Sequence, residues 1–344
     1  MLMRKSVSNL MLSAFSLLIA LIFAELFLHF VHPIEYRRPP RPLPDDVWHE
    51  LLHRPSSVPG LAYELVPNRQ KYSHGAIIRT NSFGMRDEEP RMEDGDSLHR
   101  IVVIGDSNTF GFGIPGEDVY PKVLEKLLNE KIQDGQFEVL NLGVGGYSTR
   151  DEALVLEYKG IRWNPELVVI GYVLNDPEID PIQPLHTYYQ EPRWWQYLNV
   201  SRLVARSKNS LEIKVLGEGD YIKYLHAHHQ KWQSVVEGLE KIGTLGQKRK
   251  IPILLLIFPM TGKSWTVYPY RNLHQQVANI AKEKDLKVLD LYDYFSQFHP
   301  EELMVAPRDA HPSKFGHELT ARAIYQWMLA NNHLFYFSVS QQKG

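Results

Sequence analysis

The sequence predicts an α/β protein of three layers, a parallel sheet between two sets of helices, preceded by an N-terminal transmembrane helix. Three observations carry this. From His99 onward short apolar runs alternate regularly with helical patterns of ten to fifteen residues, the order of elements that builds a parallel sheet. The runs themselves are rich in β-branched residues without polar alternation, as in Ile101-Val102-Val103-Ile104, which is how a strand buried on both faces reads. Near the start, Leu10 to Phe30 is almost uninterruptedly apolar; as a helix it would cover roughly 30 Å, the thickness of a bilayer core.

Residues 1–9 form a short tail containing Arg4 and Lys5, and 10–30 the transmembrane anchor. Glu25 and His29 interrupt only its last turns, where side chains reach the headgroup region at modest cost. A cleaved signal peptide would need a small-x-small pair, but Ala20 and Ala24 are four apart. A retained, single-pass anchor is therefore expected. Arg37, Arg38 and Arg41 partly offset the basic tail; the balance still places the tail inside and the large domain outside the cytoplasm. Residues 31–60 are proline-rich ("HPIEYRRPPRPLPDDVW") and read as a semi-rigid spacer. Residues 61–98 offer lead-in strands, "LAYELVP" and "GAIIRTNSFGMRD", with Asn81 to Gly84 as turn material.

The main domain spans 99–335. Strand 100–105 is followed by a helix from Val119 to Lys131, strand "FEVLNLG", a helix from Thr149 to Tyr158 and strand "LVVIGYV". Strand "IPILLLIF", helix 270–284, strand "KVLDL" and a helix from Pro312 to Leu329 complete it. Between 177 and 228 the alternation breaks into a long aromatic insertion containing Trp194 and Trp195, too long for a simple connection; such segments are commonly lids or binding surfaces. The following helix carries Trp232, Val235, Val236, Leu239, Ile242 and Leu245 on one stripe, a core-packing pattern.

Composition narrows the chemistry. With 344 residues, 44% hydrophobic and 23% charged, the chain can bury a large core. Its 38 basic and 40 acidic residues give a net charge of −2, and no basic stripe suggests a nucleic-acid partner. Cysteine is absent, so any nucleophile or base is an oxygen or nitrogen. No cofactor or metal is expected. "MTGKS" lacks the first glycine of a phosphate loop, since position 257 is Ile257, and His226, His228 and His229 have no clustered carboxylate.

Gly-Asp-Ser occurs twice. Ser97 sits in an acidic turn beside Asp94 and Asp96, whereas Ser107 follows a buried strand and so stands at the sheet's carboxyl rim. A serine nucleophile needs a base, a group to orient that base, and donors for the developing oxyanion. Asp309 lies two residues before His311, which lets the carboxylate fix the imidazole tautomer. Gly146 in "NLGVGGYST" and Asn175 in "GYVLND" end the second and third strands on the same rim and offer a backbone N–H and an amide.

These four pieces in order, "VVIGDSNTFGFG", "NLGVGGYST", "GYVLND" and "DAHP", resemble the blocks of the SGNH (GDSL) hydrolase family. In the third, Gly171-Tyr-Val-Leu-Asn175 replaces the tighter Gly-x-Asn-Asp of many members. The resemblance implies a flavodoxin-like fold with a five-stranded parallel sheet. It implies Ser107 as nucleophile, His311 as base, Asp309 as its orienter, and an oxyanion hole formed by Gly146, Asn175 and the Ser107 amide. The activity expected is hydrolysis of acyl esters, such as acetyl groups on carbohydrate, through an acyl-enzyme. Two alternatives share this sequence: an O-acyltransferase passing the acyl group to cell-surface carbohydrate, and a non-catalytic carbohydrate-binding or assembly module.

Overall fold

The computed structural model describes residues 2–34, 52–73, 75–92, 98–132, 136–179 and 193–331. In chain order the elements are α1 (Leu2–Phe30), β1 (His53–Pro55), β2 (Tyr63–Leu65), β3 (Gln70–Ser73), β4 (Ala76–Arg79) and β5 (Leu98–Gly105). Then follow α2 (Ser107–Phe110), α3 (Tyr120–Lys131), β6 (Gln136–Asn141), α4 (Thr149–Val155), β7 (Leu167–Val173) and α5 (Asn199–Leu216). The chain continues through α6 (His229–Arg249), β8 (Ile253–Phe258), α7 (Arg271–Glu283), β9 (Lys287–Asp290), β10 (Met304–Ala306), β11 (Asp309–Pro312) and α8 (Lys314–Ala330). They fall into two compact units, one of residues 1–43 with 181–224, the other of 44–180 with 225–344.

The larger unit is built on a five-stranded sheet in the order β6-β5-β7-β8-β9, every pair parallel. The expected three layers follow from its side chains. Ile101 and Val103 point to one face with Val169 and Leu256, where Leu124, Leu128, Ile324 and Met328 of α3 and α8 cover them. Val102 and Ile104 point to the other, and all four β5 residues are fully buried, so the strand has no reason to alternate apolar with polar. The chain reverses direction across the sheet at β5, the switch point at which ligands of such sheets bind. Val235, Leu239 and Ile242 of α6 are buried, as the stripe requires.

Two expectations shift. The last helix begins at Lys314, not Pro312, because Pro312 pairs with Met304 in the β10–β11 hairpin and the Ser313 hydroxyl caps the helix by accepting from the Gly316 N–H. The helix from Thr149 ends as an α-helix at Val155 and widens into a π turn over Leu156–Gly160. Of the spacer 31–60, residues 35–51 lie outside the described residues, while His53–Pro55 pairs antiparallel with β2.

In the smaller unit α1 carries an apolar segment, Asn9–Phe30, of 22 residues with mean hydropathy 2.4, none of it buried. Within the expected insertion, residues 180–192 lie outside the described ones. Trp194–Tyr197 forms a single 3-10 turn that leads into α5.

Candidate active site

Ser107 opens α2 immediately after β5. The strand reaches it without a side chain at Gly105, where a Cβ would come within 2.0 Å of Thr109 Oγ1. Asp106 caps the short helix, its Oδ1 accepting from the Asn108 N–H at 2.9 Å. Burial raises the Asp106 carboxyl above its ordinary value.

Asp309 and His311 come from β11. Residues two apart on a strand share a face, so Asp-x-His presents both side chains together on a strand rather than in a turn. His311 Nδ1 is 2.5 Å from Asp309 Oδ1, and Nε2 is 2.9 Å from Ser107 Oγ. With Nδ1–H donating to the carboxylate, Nε2 is left to accept the serine proton. Phe112 stacks on the imidazole at 4.5 Å and 27°. The imidazole is thus oriented from two sides. Ser107 Oγ also lies 3.3 Å from Asp106 Oδ2, a longer contact than the one to His311.

Gly146 sits in the turn after β6 at φ +84°, a left-handed backbone that strains any residue with a side chain. The same loop faces the serine: a Cβ on Gly145 would be 3.9 Å from that of Ser107. Asn175 follows β7, with its carbonyl accepting from the Glu178 N–H at 2.9 Å. Neither the Gly146 N–H nor the Asn175 side-chain amide has a partner among the described residues. The second Gly-Asp-Ser, with Ser97, lies outside the described residues.

Several supporting residues escaped the sequence reading because their partners are remote in the chain. Arg86, buried in the lead-in segment, donates to the carbonyls of Phe110 (2.6 Å), Gly111 (2.5 Å) and Ile114, satisfying the end of α2. Burial lowers it to about 10, so it stays charged at neutral pH. Tyr63 donates to the Gly145 carbonyl at 2.9 Å and accepts at its own carbonyl from Tyr147 Oη at 2.7 Å, bracing the glycine loop. Thr261, in "MTGKS", donates to the Ala310 carbonyl between Asp309 and His311 at 2.6 Å. Lys231 and Glu178 form a buried ion pair at 3.0 Å just beyond Asn175. An exposed-looking arginine amid glycine and turn residues was the one signal available for Arg86.

Behind the rim, Asp106, Glu152 and Asp176 are buried carboxyls, each raised first by burial and, for Glu152 and Asp176, further by neighbouring acids. Asp176 accepts from Thr149 Oγ1 at 3.0 Å, whereas both Glu152 carboxyl oxygens are buried without a partner among the described residues. Burial in this cluster favours the protonated form of each. Among the described residues no three side chains form a metal-holding group; His226 lies with Nε2 3.1 Å from the Tyr172 hydroxyl. A cavity of about 240 Å³ lies beyond the glycine loop, lined by Arg54, Lys159, Arg162 and Trp163 but not by Ser107 or His311. Side-chain chemistry rather than volume locates the site.

Comparison with known proteins identifies the family. The GDSL-like Lipase/Acylhydrolase family profile matches residues 103–319. Among solved structures, the acetyl xylan esterase AlAXEase is similar at 18% identity over 66% of this chain and 98% of its own, with a TM-score of 0.43. Axe2, an acetylxylan esterase from Geobacillus stearothermophilus, is similar at 21% identity over 66% and 93%, also with a TM-score of 0.43. No curated protein sequence matches the chain. With the family profile covering well over half of its length, and Gly-Asp-Ser at the end of the first parallel strand, the chain belongs to the GDSL-like lipase/acylhydrolase family and is a serine ester hydrolase of SGNH type.

Proposed function

We propose that Ser107, His311 and Asp309 form the catalytic triad of a membrane-anchored esterase working through an acyl-enzyme. The observation that carries this is the continuous chain from Ser107 Oγ through Nε2 and Nδ1 of His311 to Asp309 Oδ1, at 2.9 and 2.5 Å. Ser107 Oγ attacks the ester carbonyl carbon while its proton passes to Nε2; the imidazolium that forms is stabilised by Asp309. The Gly146 N–H, the Asn175 amide and the Ser107 N–H take the developing oxyanion. Collapse breaks the bond to the alcohol, which leaves with the proton from His311. Water then enters, gives a proton to His311 and repeats the sequence on the acyl-enzyme, releasing the acid and restoring Ser107.

The substrate we assign is an acyl ester, acetyl on carbohydrate being the first to test, without cofactor, metal or nucleic acid. The α1 helix serves as the single-pass anchor and the catalytic domain lies outside the cytoplasm. Transfer to a sugar hydroxyl would use the same atoms, with the acceptor in the place of water. The test is acetate release from an aryl acetate and from an acetylated oligosaccharide, with and without a deacetylated acceptor. Hydrolysis predicts free acetate in both cases and none from Ser107→Ala. Full turnover by Ser107→Ala would refute the assignment, and acetate recovered only on the acceptor would identify a transferase.

A further inference from the structure

In the smaller unit Glu25 stands five residues before the end of α1 and is the one acidic residue of that helix. A lone carboxylate there is costly unless it is satisfied. Its oxygens accept from the Asn199 N–H (2.8 Å), the Asn199 side-chain amide (2.9 Å) and the Val200 N–H (2.8 Å). These donors are the first turn of α5, whose own N-cap residue, Leu198, supplies no side-chain cap. A residue of the membrane helix therefore caps a helix of the insertion. The joint is closed by the Ile34 N–H donating to Asn199 Oδ1 and Arg202 Nη1 donating to the Ile34 carbonyl, both at 3.0 Å.

The helix held in this way is amphipathic. Leu203, Val204, Leu211 and Val215 share one face at helical spacing, and all are exposed, Leu211 at 62% and Val215 at 67%. Trp194, Trp195 and Tyr197 precede it and are also exposed, Trp194 at 76%. The polar residues include Arg202, Arg206, Lys208 and Lys214 against the single acid Glu212. Too charged to span a bilayer, α5 has the composition of a helix lying in its interface, with aromatic residues at headgroup depth and basic residues toward anionic lipid. The apolar patch is moreover tied to the end of α1, where that interface would be.

We infer that residues 193–216 form a second membrane contact, with α5 lying apolar face down on an anionic bilayer surface and fixed there by Glu25. This rests on α1 being the anchor. The chain has no cysteine, so single reporters can be placed in the full-length protein. Leu211→Cys on the apolar face, Ala205→Cys off it, and Phe15→Cys within α1 would each carry an environment-sensitive fluorophore. The labelled proteins are reconstituted in vesicles of phosphatidylcholine and phosphatidylglycerol containing nitroxide-labelled lipid. Expected are roughly two-fold quenching at Leu211 by nitroxide near the headgroup end of the chains, little at Ala205, and quenching at Phe15 by nitroxide near the chain ends. Glu25→Ala should lower the quenching at Leu211 alone. Quenching at Phe15 with Leu211 no different from Ala205 would overturn the inference and leave the anchor standing; no quenching at Phe15 would overturn the anchor and the inference with it.

Discussion

Two apolar runs of this chain meet opposite fates. In β5, Ile101 to Ile104 have no exposed surface, whereas in α1 Phe23 is 68% exposed and Leu10 73%. Hydrophobicity does not separate them; length and neighbours do. Eight residues of β5 end in Gly-Asp-Ser and are flanked by parallel partners, so burial on both faces fixes the backbone that presents Ser107. The 22-residue apolar segment of α1 covers about 33 Å as a helix, with no covering partner over most of its surface among the described residues. One run gains its stability from packing within the protein; as the proposed anchor, the other would gain it from a different solvent.

Substitutions should therefore act on separable properties. The largest effect falls on chemistry: Ser107→Ala or His311→Ala should lower kcat by roughly 10⁴-fold or more, and Asp309→Asn by about 10⁴-fold, with melting and membrane fraction unchanged. Loss of melting stability in step with activity would make these residues structural. Next, Ile104→Ala should cost the catalytic unit about 2–4 kcal/mol through the cavity it leaves, measured by denaturant unfolding in detergent. Ile22→Ala in α1 should leave the same transition unmoved; equal losses would erase the contrast between the runs. A third effect tests the brace. Arg86→Lys keeps the charge but cannot reach three carbonyls at once, and should lower kcat by about a hundredfold with KM little changed.

The smallest effect is a pH dependence. Burial raises Glu152 well above its ordinary value, with neighbouring acids adding to the rise. The folded state thus holds a proton that the unfolded chain loses, and stability falls as pH rises from the unfolded pKa, near 4.5, through the folded one. Glu152→Gln removes that loss. Its unfolding free energy should match wild type near pH 4 and exceed it increasingly as pH rises, by about 1–3 kcal/mol for an unsatisfied buried group. A constant offset at every pH would assign the effect to packing instead.

The fold and the pairing of Asp309 with His311 were legible because they depend on local pattern. Strand runs such as Ile101–Ile104 announce their burial, and Asp309 and His311 are only two residues apart. What joins them to Ser107, 204 positions away, is sheet topology, which the alternation of elements implies. The braces were not legible. Arg86, Tyr63 and Thr261 act on carbonyls between 24 and 82 residues distant, and a backbone acceptor has no residue type to reveal it. Glu25 read as a side chain reaching for headgroups; its partners, Asn199 and Val200, became visible only with α5 in place.

The central claim is that Ser107 is the nucleophile. Its most direct test is covalent labelling of the full-length protein with a fluorophosphonate, followed by peptide mapping of the modified residue. The account predicts one modified serine, Ser107, with labelling lost in Ser107→Ala, strongly slowed in His311→Ala and unaffected in Ser97→Ala. Label retained by Ser107→Ala, or mapped to Ser97, would contradict it.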